Sequence, residues 1–255
     1  MSDPTHYAMQ FNHRNERERT FIDRYPDFLR ESALSDMEKM MNFSLYAPRE
    51  QFARLLFRQE LFGHVAQRHG HIIECGVLYG QGLMTFAQLS AVLEPQNHTR
   101  RVVGFDTFGG ISRRHEKDDS PVTTKATALG AMAADSYDEL HRCVAMYDAN
   151  RPLGHLPRVE LVRGDIVETA PKYVRDNPHL VISMLYLNCN MYEPTKAAID
   201  AFLPRMVKGS VLAFGELGHP ECPGETLAVL ETIGLRALEV RRVYYDSTRS
   251  YAILE

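Results

Sequence analysis

The stretch His71-Ile72-Ile73-Glu74-Cys75-Gly76-Val77-Leu78-Tyr79-Gly80-Gln81-Gly82 decides the fold. Its first five residues form a short β-branched run, and three glycines follow. LMTFAQLSAVLE (83–94) then restores helical spacing until Pro95 stops it. The order is strand, glycine turn, helix. Further strands are expected at RVVGFD (101–106), VELVRG (159–164), LVISMLYL (180–187), GSVLAFG (209–215), LEVRRVYY (238–245) and SYAILE (250–255), with helices between several of them. Such alternation implies an α/β fold: a mainly parallel seven-stranded sheet with helices on both faces.

Upstream, REQFARLLFRQELFGHVAQRH (49–69) sets Phe52, Leu55, Leu56, Gln59 and Phe62 or Gly63 at helical spacing, which predicts an amphipathic helix with those residues on its apolar face. Residues 1–45 are polar with scattered aromatics and read as an arm or cap in front of a domain at 46–255. Within that domain, about 111–140 is polar and rich in small residues, which reads as a lid-like insertion.

Composition narrows the function. With 255 residues, 44% of them hydrophobic, the chain can build one sizeable core. A formal net charge of −4 offers no cationic field for a phosphate backbone, so nucleic acid is not expected as a partner. The longest apolar runs are strand-length, short of the roughly 20 residues of a membrane span. The first thirty residues are crowded with charge and lack an apolar core, which argues against a secretory signal and for a cytoplasmic location. Cys75, Cys143, Cys189 and Cys222 form no C-x-x-C pair, so neither zinc nor a disulfide framework is suggested.

In an open parallel sheet, ligands gather outside the carboxyl ends of the strands. The first of these ends reads E-x-G-x-x-x-G-x-G over Glu74, Cys75, Gly76, Gly80 and Gly82. Its glycines allow a sharp turn and a close approach to a ligand, and the helix start points free N–H groups at it. The spacing differs from the G-x-G-x-x-G that holds a dinucleotide pyrophosphate, which counts against a nicotinamide oxidoreductase. S-adenosylmethionine (SAM) has no pyrophosphate. It carries an amino acid end suited to a carboxylate such as Glu74, and a ribose suited to Asp106 at the end of the second strand, beside Thr107 and Phe108. The polar turn Gly164-Asp165 after the third strand suits adenine.

With Asp106 and its neighbours, the blocks IIECGVLYGQG, VVGFDTFGGI, VRGDIVETAP and ISMLYLNCNMYEPTKAAIDAFLPRMVKGSVLAF resemble successive blocks of the macrocin O-methyltransferase family over roughly residues 46–230. The resemblance extends to a nucleotide-rhamnose O-methyltransferase type from calicheamicin-like pathways. It implies the Rossmann-like class I SAM-methyltransferase sheet with an antiparallel last strand. It also implies a homo-oligomer, and methylation of a sugar hydroxyl, on a nucleotide-deoxysugar or a glycosylated natural product, in antibiotic biosynthesis.

The family carries L-D-x-D-L-Y-E after the fourth strand and F-D-D-Y after the fifth, where its aspartates hold magnesium and supply a base. Here the segments read Leu187-Asn188-Cys189-Asn190-Met191-Tyr192-Glu193 and Phe214-Gly215-Glu216-Leu217. Magnesium needs hard carboxylate oxygens, and of the four acidic positions only Glu216 stays anionic, which counts against the metal. If one binds, Glu216 and Asn188 are its donors. Asn188 is otherwise expected beside the cofactor, and Asn190 to orient the acceptor hydroxyl. Such a hydroxyl is almost un-ionised at neutral pH, so a base is wanted. Glu216 and His219, both just after the fifth strand, are the candidates. Arg113 and Arg114, with His115 and Lys117 nearby, are placed to clamp the diphosphate of a nucleotide-sugar. Tyr192 is grouped with them on the acceptor side. The alternative is that the asparagines have abolished chemistry, leaving a SAM-binding or structural partner of another enzyme.

Overall fold

The computed structural model describes residues 15–122 and 127–255. The first fourteen residues of the expected arm, and residues 123–126 of the expected insertion, lie outside them. The chain divides into two compact units, residues 1–54 and 55–255. In the first unit, α1 (Glu16–Glu31) and α2 (Asp36–Met41) both begin with capping boxes, Asn15 with Glu18 and Ser35 with Glu38. The rings of Phe21, Tyr25, Phe28 and Tyr46 contact one another in series, each tilted against the next.

The division falls within α3 (Arg49–Val65). The second unit alternates β1 (His71–Cys75), α4 (Gln81–Leu93), β2 (Val102–Asp106), α5 (Tyr137–Asn150), β3 (Val159–Arg163), α6 (Ile166–Asp176), β4 (Ile182–Leu187), α7 (Tyr192–Phe202), β5 (Met206–Phe214), α8 (Pro223–Thr232), β6 (Arg241–Arg242) and β7 (Ser250–Ile253). Sheet order is β3-β2-β1-β4-β5-β7-β6. β1 to β5 run parallel, while β7 runs antiparallel to β5 and β6 antiparallel to β7. The expected parallel sheet with an antiparallel last strand is what forms.

Period-two alternation explains the two cores. Ile72 packs on one side with Phe57, Leu61, Leu83, Phe86, Met184 and Val211, whereas Ile73 packs on the other with Phe105, Leu185, Ile199, Phe202 and Leu212. Both faces are dry, so the parallel strands read as unbroken apolar runs. Because β2 lies on one side of β1 and β4 on the other, the strand order reverses at β1, and the carboxyl ends of β1 and β4 mark the topological switch point where ligands bind in such sheets.

Three readings of the elements need correction. The buried residues of α3 are Phe57, Arg58, Leu61, Phe62 and Val65, while Leu55 and Leu56 are exposed. Apolar residues lie on several sides of this helix, so spacing alone picked the wrong stripe. The strand expected at 238–245 shrinks to Arg241–Arg242, because it is an edge strand whose residues are mostly exposed and have only one neighbour to pair with. The expected insertion ends sooner than spacing suggested, since helical backbone resumes at Tyr137. Of the cysteines, Cys75 and Cys222 are buried and Cys143 is exposed, and all four are free.

Candidate active site

Asp106 organises the edge. Its Oδ2 accepts the N–H groups of Val77 (2.7 Å) and Leu78 (2.8 Å), and its Oδ1 accepts that of Phe108 (2.7 Å). A carboxylate offers about four lone-pair sites, so about one stays open for a ribose hydroxyl. These bonds hold the turns after β1 and β2 in a costly form: Leu78 and Phe108 have φ of 53° and 56°, a left-handed conformation that costs of order 1–2 kcal/mol for a residue with a Cβ.

The ends of β1 and β4 are stitched by Asn188. Its N–H donates to the Cys75 carbonyl (2.8 Å) and its side-chain amide to that of Gly76 (3.2 Å). Gly76 has φ of 93°, and a Cβ there would lie 2.2 Å from the Asn188 carbonyl oxygen, so the approach requires glycine. Two residues on, Asn190 has φ of 63°, and its Oδ1 is buried with no hydrogen-bond partner among the described residues.

Glu74 lies under the first turn of α4, where a Cβ on Gly82 would sit 1.9 Å from its Oε1. Burial pushes its carboxyl up to about 8; Arg58 pulls the other way and Asp106 adds to the rise. Its Oε2 has no partner among the described residues. An orphaned carboxyl oxygen beneath a glycine turn fits the ammonium end of SAM, which would give it a cationic partner. Glu74, Gly76, Gly80, Gly82 and Asp106 are thus brought together as expected, with Cys75 buried beneath them. Thr107 bonds its own loop through Oγ1 to the Gly110 carbonyl (2.7 Å).

Asp165 is more committed than its sequence position suggested. One oxygen caps α6 at the Val167 N–H (3.0 Å), and the other takes Ser112 Oγ (2.9 Å) and Arg113 Nε (2.7 Å). Burial opposes its ionisation, but these donors hold the carboxyl below its ordinary range. The backbone of this turn is engaged as well, since the Gly164 N–H donates to the Asp106 carbonyl (2.9 Å).

The basic run is charge-paired. Arg113 bridges Asp165 and Glu193 (3.6 Å), Arg114 meets Asp119 (2.6 Å), and Lys117 meets Glu231 (2.6 Å). Tyr192 is buried, and its hydroxyl donates to Glu231 (2.7 Å) under the Lys117 ammonium. It joins the insertion to α7 and α8 and is not part of the strand-end cluster. Asp118, 3% exposed, completes that joint by accepting the Tyr192 N–H (2.7 Å). At its far end the insertion is fixed by Ser136, which donates to the Leu78 carbonyl.

After β5, Glu216 is half-buried, and its N–H donates to Glu225 Oε1 (2.9 Å). Glu225 is wholly buried, and burial pushes its carboxyl up to about 8. His219 Nδ1 accepts the Glu221 N–H (3.3 Å), so a neutral His219 carries its proton on Nε2 and presents a donor, not a base. Glu225, Asp118 and Ser136 escaped the sequence reading. Glu225 follows Pro223 in the first turn of α8 and Asp118 adjoins the basic run, and neither position marks its burial in the sequence.

The donors do not fit magnesium. Asn188 and Asn190 are neutral, Gly215 has no side chain, and Glu216 alone contributes a carboxylate. Among the described residues, no group of three or more His, Cys, Asp or Glu is placed to hold a metal. No helix among them is long and apolar enough to cross a membrane.

Comparison with known proteins agrees with this geometry. Calicheamicin methyltransferase CalS11 superposes with a TM-score of 0.90 at 33% identity, over 96% of this chain and 95% of that one. Its apo form, described as a TDP-rhamnose 3'-O-methyltransferase of calicheamicin biosynthesis, gives 0.81 at 32% identity, over 96% and 97%. The O-methyltransferase NovP shares the fold with a TM-score of 0.61 at 19% identity, over 79% of each chain. No curated protein sequence matches. The macrocin-O-methyltransferase (TylF) family model matches residues 51–226. A glycine turn tied to Asp106, an orphaned Glu74 oxygen beneath it and this match over most of the chain make the protein a SAM-dependent O-methyltransferase that belongs to the macrocin-O-methyltransferase (TylF) family.

Proposed function

We propose that the enzyme methylates a hydroxyl of a nucleotide-linked deoxysugar in natural-product biosynthesis, with Glu216 as the base. The observation that carries this reading is the 33% identity, over nearly the whole of both chains, to CalS11, for which the acceptor is TDP-rhamnose. SAM, when bound, supplies a methyl group on a sulfonium sulfur. Glu74 and the glycine turn hold its amino acid end, Asp106 its ribose, and the 164–166 turn its adenine. With SAM bound, the acceptor oxygen would take its methyl group in line as the S–CH3 bond breaks, and Glu216 would take the hydroxyl proton.

Alignment of the two reactants accounts for much of the rate. Asn190 offers its unpartnered Oδ1 to the acceptor hydroxyl, and its amide cannot itself take the proton. His219 is read as a hydrogen-bond donor to the acceptor. Arg113 and Arg114 would serve a diphosphate by exchanging their carboxylate partners for phosphate oxygens.

The test is incubation with SAM and TDP-rhamnose, with mass spectrometry to detect a methylated nucleotide-sugar. Glu216→Gln should lower kcat by roughly 100-fold or more, the usual worth of a general base, with affinity for S-adenosylhomocysteine (SAH) unchanged. No product from the wild type would sink the acceptor class, and full activity in E216Q would sink the base.

A further inference from the structure

We propose that Glu225 is a positioning residue for methyl transfer: the first turn of α8 grips the turn after β5 and aims Glu216 at the acceptor. This rests on the reading of Glu216 as the base. Two backbone donors of that turn are captured by adjacent α8 side chains. Glu216 N–H donates to Glu225 Oε1 (2.9 Å), and Gly218 N–H to Thr226 Oγ1 (2.8 Å). The two bonds therefore fix the backbone at Glu216 and two residues beyond it.

The same helical turn is locked from its other side. A Cβ on Gly224 would lie 2.0 Å from Asp118 Oδ1 and 2.6 Å from the Tyr192 N–H nitrogen, so α8 begins hard against the joint between the insertion and α7. Asp118 bonds Tyr192, and Ser120 Oγ donates to the Pro220 carbonyl inside the gripped loop. Glu225 thus sits where the loops after β4 and β5 and the insertion converge.

A carboxyl with 0% exposure is a costly choice for a purely structural bond. Its Oε1 is used on one backbone N–H, and its Oε2 has no partner among the described residues. Glu216 and Arg249 carry the charges that act on it, and Glu225 in turn adds to the burial that pushes the Cys189 and Cys222 thiols up. Since burial keeps it protonated at neutral pH, glutamine is its closest stand-in and preserves the acceptor for Glu216 N–H.

The experiment combines kinetics with SAM and TDP-rhamnose, SAH calorimetry, and hydrogen exchange of the Glu216 and Gly218 amides, on the full chain. Glu225→Ala should lower kcat by roughly 10- to 100-fold, the scale of an ångström-sized misplacement. KM for TDP-rhamnose and SAH affinity should stay within about threefold, and the Glu216 amide should lose protection. Glu225→Gln should restore both kcat and protection, and Thr226→Val should expose the Gly218 amide with a smaller loss of kcat.

An E225A enzyme with unchanged kcat, or an E225Q as impaired as E225A, overturns the proposal. If E225A does not fold, E225Q and T226V decide it by the same readings. If the wild type does not turn over TDP-rhamnose, the acceptor reading fails by itself, and amide protection decides for Glu225: loss in E225A supports it, no change overturns it. If E216Q remains fully active while E225A loses protection, the base fails and the grip on the turn stands.

Discussion

Gly76→Ala is the sharpest test of the strand-end geometry. The new Cβ would lie 2.2 Å from the Asn188 carbonyl oxygen, 2.7 Å from its carbon and 3.1 Å from the Cys189 nitrogen, all backbone atoms that cannot swing aside. At φ of 93° the alanine also carries conformational strain of about 1 kcal/mol or somewhat more. Relieving the overlap means parting the ends of β1 and β4, an overpacking cost of about 1–3 kcal/mol. A sum near 3 kcal/mol should lower Tm by roughly 6–12 °C in a chain of this size. Gly218→Ala is the control. Its φ is 79°, but nothing lies within 4 Å of the added methyl, so strain alone remains, and Tm should fall by roughly 2–4 °C. Calorimetric melting of both variants, paired with SAH titration, separates the two costs. G76A should also bind SAH at least about tenfold more weakly, a loss of about 1.4 kcal/mol. If the two variants melt within about 2 °C of each other, the close approach of the strand ends is wrong.

Two further outcomes follow from the carboxyls of this edge. Asp106→Asn must leave at least one of the Val77, Leu78 and Phe108 N–H groups without an acceptor. Hydrogen bonds to a charged group are worth about 1.5–3 kcal/mol each, so SAH affinity by calorimetry should fall at least about tenfold, and wild-type affinity would refute the assignment. Glu74 holds a proton in the folded protein up to about pH 8 that the unfolded chain releases at the ordinary carboxylate value. Unfolding therefore releases a proton between these values, and stability declines as pH rises through that window, then levels off. Melting curves of Glu74→Gln should be shallower than wild type from pH 5 to 8, and parallel curves would refute the burial argument.

The fold and the placement of the strand-end residues were legible because each depends on local pattern. β1, its glycine turn and α4 form one contiguous stretch, and Glu74, Gly76 and Asp106 act through a position that strand ends dictate. The acceptor side was less legible because it depends on pairing across the fold. Nothing in the run Arg113 to Lys117 reveals that its charges meet Asp165, Glu193, Asp119 and Glu231. The burial of Glu225 follows from how α8 packs beside α7, and the stripe of α3 that faces the core was misread for the same reason.

Backbone strain concentrates on this same edge. Leu78, Phe108 and Asn190 have positive φ and stand two or three residues beyond the ends of β1, β2 and β4. Each costs of order 1–2 kcal/mol, a sizeable share of the ~5–15 kcal/mol that holds a domain folded. They persist because the strands beneath are fully buried and leave the turns little choice. The strand-end cluster is consequently built from backbone direction, glycine space and one organising carboxylate. Replacing the family aspartates by Asn188, Asn190 and Gly215 leaves those elements in place, since Asn188 still ties β4 to β1 through its own amide. On the proposed reading of Glu216 as the base, these substitutions shift the burden of deprotonation to Glu216 and to the α8 turn whose Glu225 accepts its N–H.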